Sequence, residues 1–196
     1  MLEKGFLQAV FASVLAVPWN LVSAMDAEAK TIVTQSGEAV DLPVCFDSQG
    51  GQVRFQEIRL YNPMEPTNHM AESFYAPMSG GPIIRLHPII KTLPPEVIEY
   101  TARHECAHHE LGHAREVYRR NILGENFSQS TLYHYELSAD CSAAVRLQGD
   151  KGYIGADFKR IFSYIPDQPH SKSHPRNSMR LDNIDACLST PAMIQP

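Results

Sequence analysis

At 196 residues, with 43% hydrophobic and 20% charged side chains, the chain has the size and composition of one folded domain with a buried core. Its net charge is −5, from 17 basic and 22 acidic residues, and no run or stripe of Lys and Arg interrupts that balance. Nucleic-acid binding, which needs such a basic footprint, is therefore set aside.

The N-terminal end reads as an export signal. Lys4 follows the free amine, Phe6–Val17 is mostly apolar, Pro18 breaks the run, and Val22-Ser23-Ala24 has the small-residue form of a cleavage site. The apolar run is short of the ~20 residues a spanning helix needs. A signal peptide over residues 1–24 and a single domain over 25–196 are expected, in a periplasmic or secreted protein with no stable membrane insertion after cleavage. Glu3 offsets Lys4, which leaves an uncleaved anchor as the alternative.

Residues 25–40 are small and polar and read as a loose segment. Three strands are expected next, over Val40–Phe46, Val53–Tyr61 and Pro82–Ile90, with Gly50-Gly51 and Gly80-Gly81 as turns and Asn62–Pro66 as a loop. Pro82 and Pro88 assign the third strand to a sheet edge, because proline cannot donate to a ladder. After Leu93 the pattern becomes helical. Pro94-Pro95-Glu96 starts a helix expected to run to Arg119-Arg120, before Gly124. A second helix is expected from an N-cap at Ser128 or Ser130 to just before Gly149. A short helix over Asp157–Ile165, a polar loop over Asp167–Ser173 and a last helix over Pro175–Leu188 complete the chain. The class is α+β, a small N-terminal β region followed by a mainly helical part.

Four cysteines, Cys45, Cys106, Cys141 and Cys187, are an even count in an exported chain and point to two disulfides. Spacing does not choose among the three pairings. The expected one joins the second and last helices through Cys141–Cys187 and ties the strand region to the first helix through Cys45–Cys106. A metal-binding role for Cys106 or Cys141 is the competing idea.

The chemistry concentrates in Arg103-His104-Glu105-Cys106-Ala107-His108-His109-Glu110-Leu111-Gly112-His113. On a helix, residues four apart share a face, so His104 and His108 can aim two imidazoles at one point. That suits a zinc ion at Zn–N distances of roughly 2.0–2.1 Å. Glu105 sits beside the first ligand, where it can reach a water on the metal without being a ligand. A second frame, His109-Glu110-Leu111-Gly112-His113, overlaps the first, and its pair is turned about 140° around the helix. The longer metzincin pattern fails, since it would need glycine and histidine where Leu111 and Ala114 stand. Zinc also needs a third protein ligand. Glu136 can supply it, and Asp140, one turn on, can accept the outer N–H of a ligating histidine. The plain alternative is two solvated acids on an exposed helix, against which Ser138, Ala139, Cys141, Ser142, Ala143 and Ala144 point to close helix packing.

These residues resemble the gluzincin peptidases related to the CAAX prenyl protease, HtpX and BepA. His104-Glu105-Cys106-Ala107-His108 is followed by Leu111-Gly112-His113, as in that family, and Glu136, Ala139 and Asp140 match its Glu-x-x-Ala-Asp. Ser173-His174-Pro175 and Arg180 match its closing His-Pro and arginine. The resemblance favours the first frame and makes His113 a packing or buttressing residue. It implies a zincin-like metallopeptidase domain with one Zn2+ per chain on His104, His108 and Glu136, and a protein or peptide substrate. The family's membrane helices are missing, and no substrate class carries over.

On that reading Glu105 is the general base and His174 or Arg180 the oxyanion donor. His174 has a second possible role, as a ligand that fills the open metal position. Tyr133, Tyr135 and Tyr153 are further candidate donors, although aromatic residues at helical spacing usually belong to a core. Two other classes of function stay open: a closed, non-catalytic zinc-stabilised binding domain, and an exported interaction protein without metal.

Overall fold

A computed structural model of the chain describes residues 30–58, 70–76, 81–168 and 171–190. The expected signal segment, the Asn62–Pro66 loop, Gly80, His69 and His170 lie outside the described residues. The fold is α+β. Two short strands, β1 (Thr31–Val33) and β2 (Ala39–Asp41), pair antiparallel. A three-stranded sheet holds β3 (Arg54–Glu57), β4 (Ala71–Ala76) and β5 (Gly81–Leu86) in the order β3-β5-β4. Five α-helices follow among the described residues: α1 (Pro95–Glu110), α2 (His113–Leu123), α3 (Gln129–Lys151), α4 (Gly155–Phe162) and α5 (Asn177–Ser189).

Several boundaries differ from the sequence-based expectation. The segment expected to be loose contains β1, held because Ile32 is buried against the core beside Val40. The strand with two prolines is central, not an edge. Pro82 is the second residue of β5, and Pro88 lies beyond the strand, opening a 3-10 turn over Pro88–Thr92. Neither proline interrupts the ladder from Ile83 to Leu86, which pairs with both neighbours. β4 was not expected at all. Its exposed Glu72 stands one residue from buried Ala71, a short alternation with little hydrophobic weight.

The single helix expected from Pro95 to Arg120 is two helices. Gly112 sits at φ 78, a left-handed conformation that a side chain resists, and the chain turns there. A Cβ on Gly112 would also crowd Ser48, 3.2 Å from its Oγ. Ser48 N donates to His109 O at 3.0 Å, so the loop after β2 closes the end of α1. The helix expected to end before Gly149 continues one turn, because Leu147 is fully buried and Gly152, at φ 70, supplies the terminating turn.

Two apolar clusters divide the interior, and α1 belongs to both. Ile98, Ala102 and Cys106 face the strand-side cluster, with Ile32, Leu42, Ile84, Leu86 and Ile90. Val97 and Tyr100 face the helix-side cluster, with Ala143, Ala144, Leu147, Phe158, Ile161 and Ile184. The small residues of α3, Ala139, Ala143 and Ala144, are fully buried, which lets α1 and α5 approach closely. Both expected disulfides are present, Cys45–Cys106 on the strand side and Cys141–Cys187 between α3 and α5. With every cysteine so paired, neither Cys106 nor Cys141 is a metal ligand.

Candidate metal centre

The last turns of α1 place His104 and His108 on one face, and α3 crosses that face with Glu136. Nε2 of His104 lies 3.1 Å from Nε2 of His108. Glu136 Oε2 is 3.4 Å from the first of these nitrogens and Oε1 is 3.5 Å from the second. Donors about 2.05 Å from a tetrahedral centre are about 3.3 Å from one another. The two imidazoles stand at about that spacing and each faces one oxygen of the Glu136 carboxylate, and this buried group could hold a metal ion. Glu136 Oε2 is moreover a buried carboxylate oxygen with no hydrogen-bond donor among the described residues. A buried acceptor without a donor is costly, and a cation would satisfy it.

Each imidazole is backed on its outer side. Nδ1 of His104 is 2.8 Å from Asp140 Oδ1, although at an angle short of a regular hydrogen bond. Asp140 is itself gripped by Arg180, Nε to Oδ2 at 2.7 Å and Nη2 to Oδ1 at 2.6 Å, and by the Tyr100 hydroxyl at 2.6 Å. Nδ1 of His108 lies 3.2 Å from Nδ1 of His113, whose ring stacks on Tyr135 at a centroid distance of 4.1 Å. Only the break at Gly112 lets His113 point back at His108.

The charges follow. Burial opposes a positive His104, but Asp140 and Glu136 outweigh it and raise its pKa to about 10. Burial drives His108 down to about 3; Glu136 opposes this, and His104 and His113 add to it. Burial would raise Glu136, yet His104 and His108 hold it at about 2. Asp140 lies below the usual carboxylate range despite its burial, through Arg180 and then His104. A proton on His104 thus faces the neutral His108 nitrogen, in the place a cation would take. A metal ion bound to this set would displace that proton.

Glu105 is buried beside the group, and burial raises its pKa, against the charge of His104 and the hydroxyl of Ser73. Ser73 Oγ is 2.5 Å from Glu105 Oε2 and 2.8 Å from the Glu105 carbonyl oxygen. His174 approaches from the loop before α5. Its Nε2 is 3.6 Å from Glu136 Oε2, and its Nδ1 is 2.8 Å from Ser173 Oγ. Together these residues floor a cavity of about 200 Å³, walled on one side by Ala114, Val117, Leu132 and Tyr135 and on the other by Ala71 and Ser73 of β4.

The residues expected to form the site are largely brought together. His104, His108, Glu136, Glu105, Asp140 and His174 converge. Arg180 also converges, lining a small cavity with His104, Glu105, Glu136 and His174, with its Nε and Nη2 committed to the Asp140 carboxylate. The second frame does not form a site: His109 turns to the sheet, its Nε2 3.0 Å from Ile83 O, while His113 opens the next helix. Of the tyrosines, Tyr135 lines the cavity, Tyr133 donates to Ser171 O and Tyr153 packs in the helix-side cluster. Ser73 and Tyr100 were missed. Tyr100 precedes His104 by one turn, so helical spacing alone could have placed it on the same face. Nothing in the local sequence marked Ser73.

The chain matches no protein-family model, no curated protein sequence and no solved structure. Its chemistry therefore rests on the geometry above.

Proposed function

We propose that the protein is a zinc-dependent endopeptidase with a zincin-like catalytic domain, acting on protein or peptide substrates in a periplasmic or secreted setting. The observation that carries this reading is the buried group of His104, His108 and Glu136 with a second acidic residue, Glu105, beside them in the lining of one cavity. Two imidazoles and one carboxylate suit zinc and leave a position for water. When bound, the metal would polarise the scissile carbonyl and make its water acidic enough to attack near neutral pH.

The chain's own residues do the rest. Glu105 takes the proton of the attacking water and passes it to the leaving amine. The pair Asp140–Arg180 fixes the His104 ring so that Nε2 faces the cavity. His113 does the same for His108. His174, in the lining of the cavity, would donate to the oxyanion. Arg180 contributes through Asp140. The two disulfides are consistent with an exported protein, and no helix among the described residues is long and apolar enough to cross a membrane.

The test is a paired measurement on Glu105→Gln and Glu136→Gln, scoring zinc content and cleavage of an unfolded protein. Glu105→Gln should keep its zinc and its fold while losing at least ~100-fold in hydrolysis. Glu136→Gln should lose metal as well. A Glu105→Gln variant as active as the parent sinks the mechanism. A closed, non-catalytic zinc domain is the second reading, favoured by the 3.6 Å approach of His174 Nε2 to Glu136 Oε2. In that case His174→Ala would lose zinc, and the parent would cleave nothing.

A further inference from the structure

The peptidase reading gives Ser73, in the cavity lining, no role, although Ser73 touches the proposed base. Ser73 lies on β4, an edge strand of its sheet, opposite Ile84 of β5. Its hydroxyl reaches both the carboxylate and the main-chain carbonyl of Glu105, at 2.5 and 2.8 Å. These contacts cross between strand and helix, 32 residues apart in sequence. They bind Glu105 at two points and so restrict both its helix position and its side-chain rotation.

We infer that Ser73 is a positioning residue for the proposed hydrolysis, holding the Glu105 carboxylate by Oε2 and leaving Oε1 as the oxygen that receives the water's proton. A serine hydroxyl has one hydrogen and can also accept. While Glu105 is ionised, that hydrogen goes to Oε2. Once Oε1 carries the transferred proton, Oε2 is the carbonyl oxygen of the acid and still accepts the serine hydrogen, while the Oε1–H is left to pass to the leaving amine. Both states of the base that the reaction passes through are thereby satisfied without movement of the chain. A buried carboxyl deprived of this partner would be free to rotate, and a misplaced base costs rate more than binding.

The inference rests on the peptidase reading, so its test has one arm independent of activity. The variants are Ser73→Ala, Ser73→Thr, Glu105→Ala and the double variant Ser73→Ala/Glu105→Ala, each purified with zinc and assayed for metal content. Ser73→Ala should keep its zinc and a KM within about twofold of the parent while kcat falls about 10- to 100-fold. Ser73→Thr keeps the hydroxyl and suits a strand, and should retain kcat. Thermal unfolding of the single and double variants should give non-additive Tm shifts, because the two side chains touch. Additive shifts, an unchanged kcat in Ser73→Ala, or an equal loss in Ser73→Thr would overturn the inference. A zinc-loaded parent that cleaves nothing, with the Tm shifts still coupled, removes the peptidase reading and the catalytic half of this proposal while leaving the contact standing.

Discussion

The strand-side and helix-side cores meet the candidate metal group through different chemistry. From the strand side come neutral contacts: the Ser73 hydroxyl on Glu105, and the Ile83 carbonyl on His109. From the helix side comes buried charge: Glu136 on both imidazoles, and Asp140 held between His104, Arg180 and Tyr100. Both sides are anchored by a disulfide directly after a site residue, Cys106 after Glu105 and Cys141 after Asp140. The comparison shows a division of labour. Neutral hydrogen bonds suffice to aim a side chain. Fixing the protonation of a buried imidazole takes a carboxylate whose own charge is secured by an arginine.

The largest break in this comparison is on the helix side. Asp140→Ala would leave Arg180 as an uncompensated buried charge and remove the partner of His104. The expected loss is about 3–5 kcal/mol of stability, together with weakened zinc binding. Ser73→Ala, by contrast, should cost only ~1 kcal/mol. Urea unfolding of the two variants measures both, and similar losses would mean that the charge network is not what holds the helix side.

The disulfides sharpen the comparison next. They span 61 and 46 residues, so chain entropy gives nearly the same value for each, about 4 kcal/mol. Cys45→Ala/Cys106→Ala and Cys141→Ala/Cys187→Ala should therefore be destabilised alike. A much larger loss for one pair, by urea unfolding, would show that its side of the molecule supports the other.

The smallest expected effect is a pH slope in the metal-free protein. Burial holds His109 below its ordinary pKa, His113 at about 4 and His108 at about 3. Below about pH 6.5 the unfolded chain takes up these protons and the folded chain does not, so stability falls as the pH drops towards 4. Glu105, with its raised pKa, opposes part of that fall. His104, with its pKa raised to about 10, also opposes the fall from pH 7 until the unfolded histidine is protonated, and adds no slope well below pH 6.5. Thermal unfolding in chelator from pH 7 to pH 4 should show a declining Tm, and a flat or rising one would contradict the neutral, buried histidines.

The local chemistry of this chain was legible in its sequence. Residues four apart on a helix share a face whatever surrounds them, so His104 with His108, and Glu136 with Asp140, could be paired in advance. Helix starts at Pro95 and Gln129 followed from Pro94-Pro95-Glu96 and the Ser128 cap, which are short-range signals. Tertiary structure decided what depended on residues far apart. Gly112, left-handed beside the Ser48 loop, breaks the helix, and the break turns His113 onto His108. β5 is central because strands on both sides find it, although its prolines suggested an edge. Arg180 serves Asp140, 40 residues away, rather than facing the cavity alone. Ser73 reaches Glu105 only because β4 joins the sheet, and a weak strand of mixed polarity joins only when a neighbour supplies its hydrogen bonds.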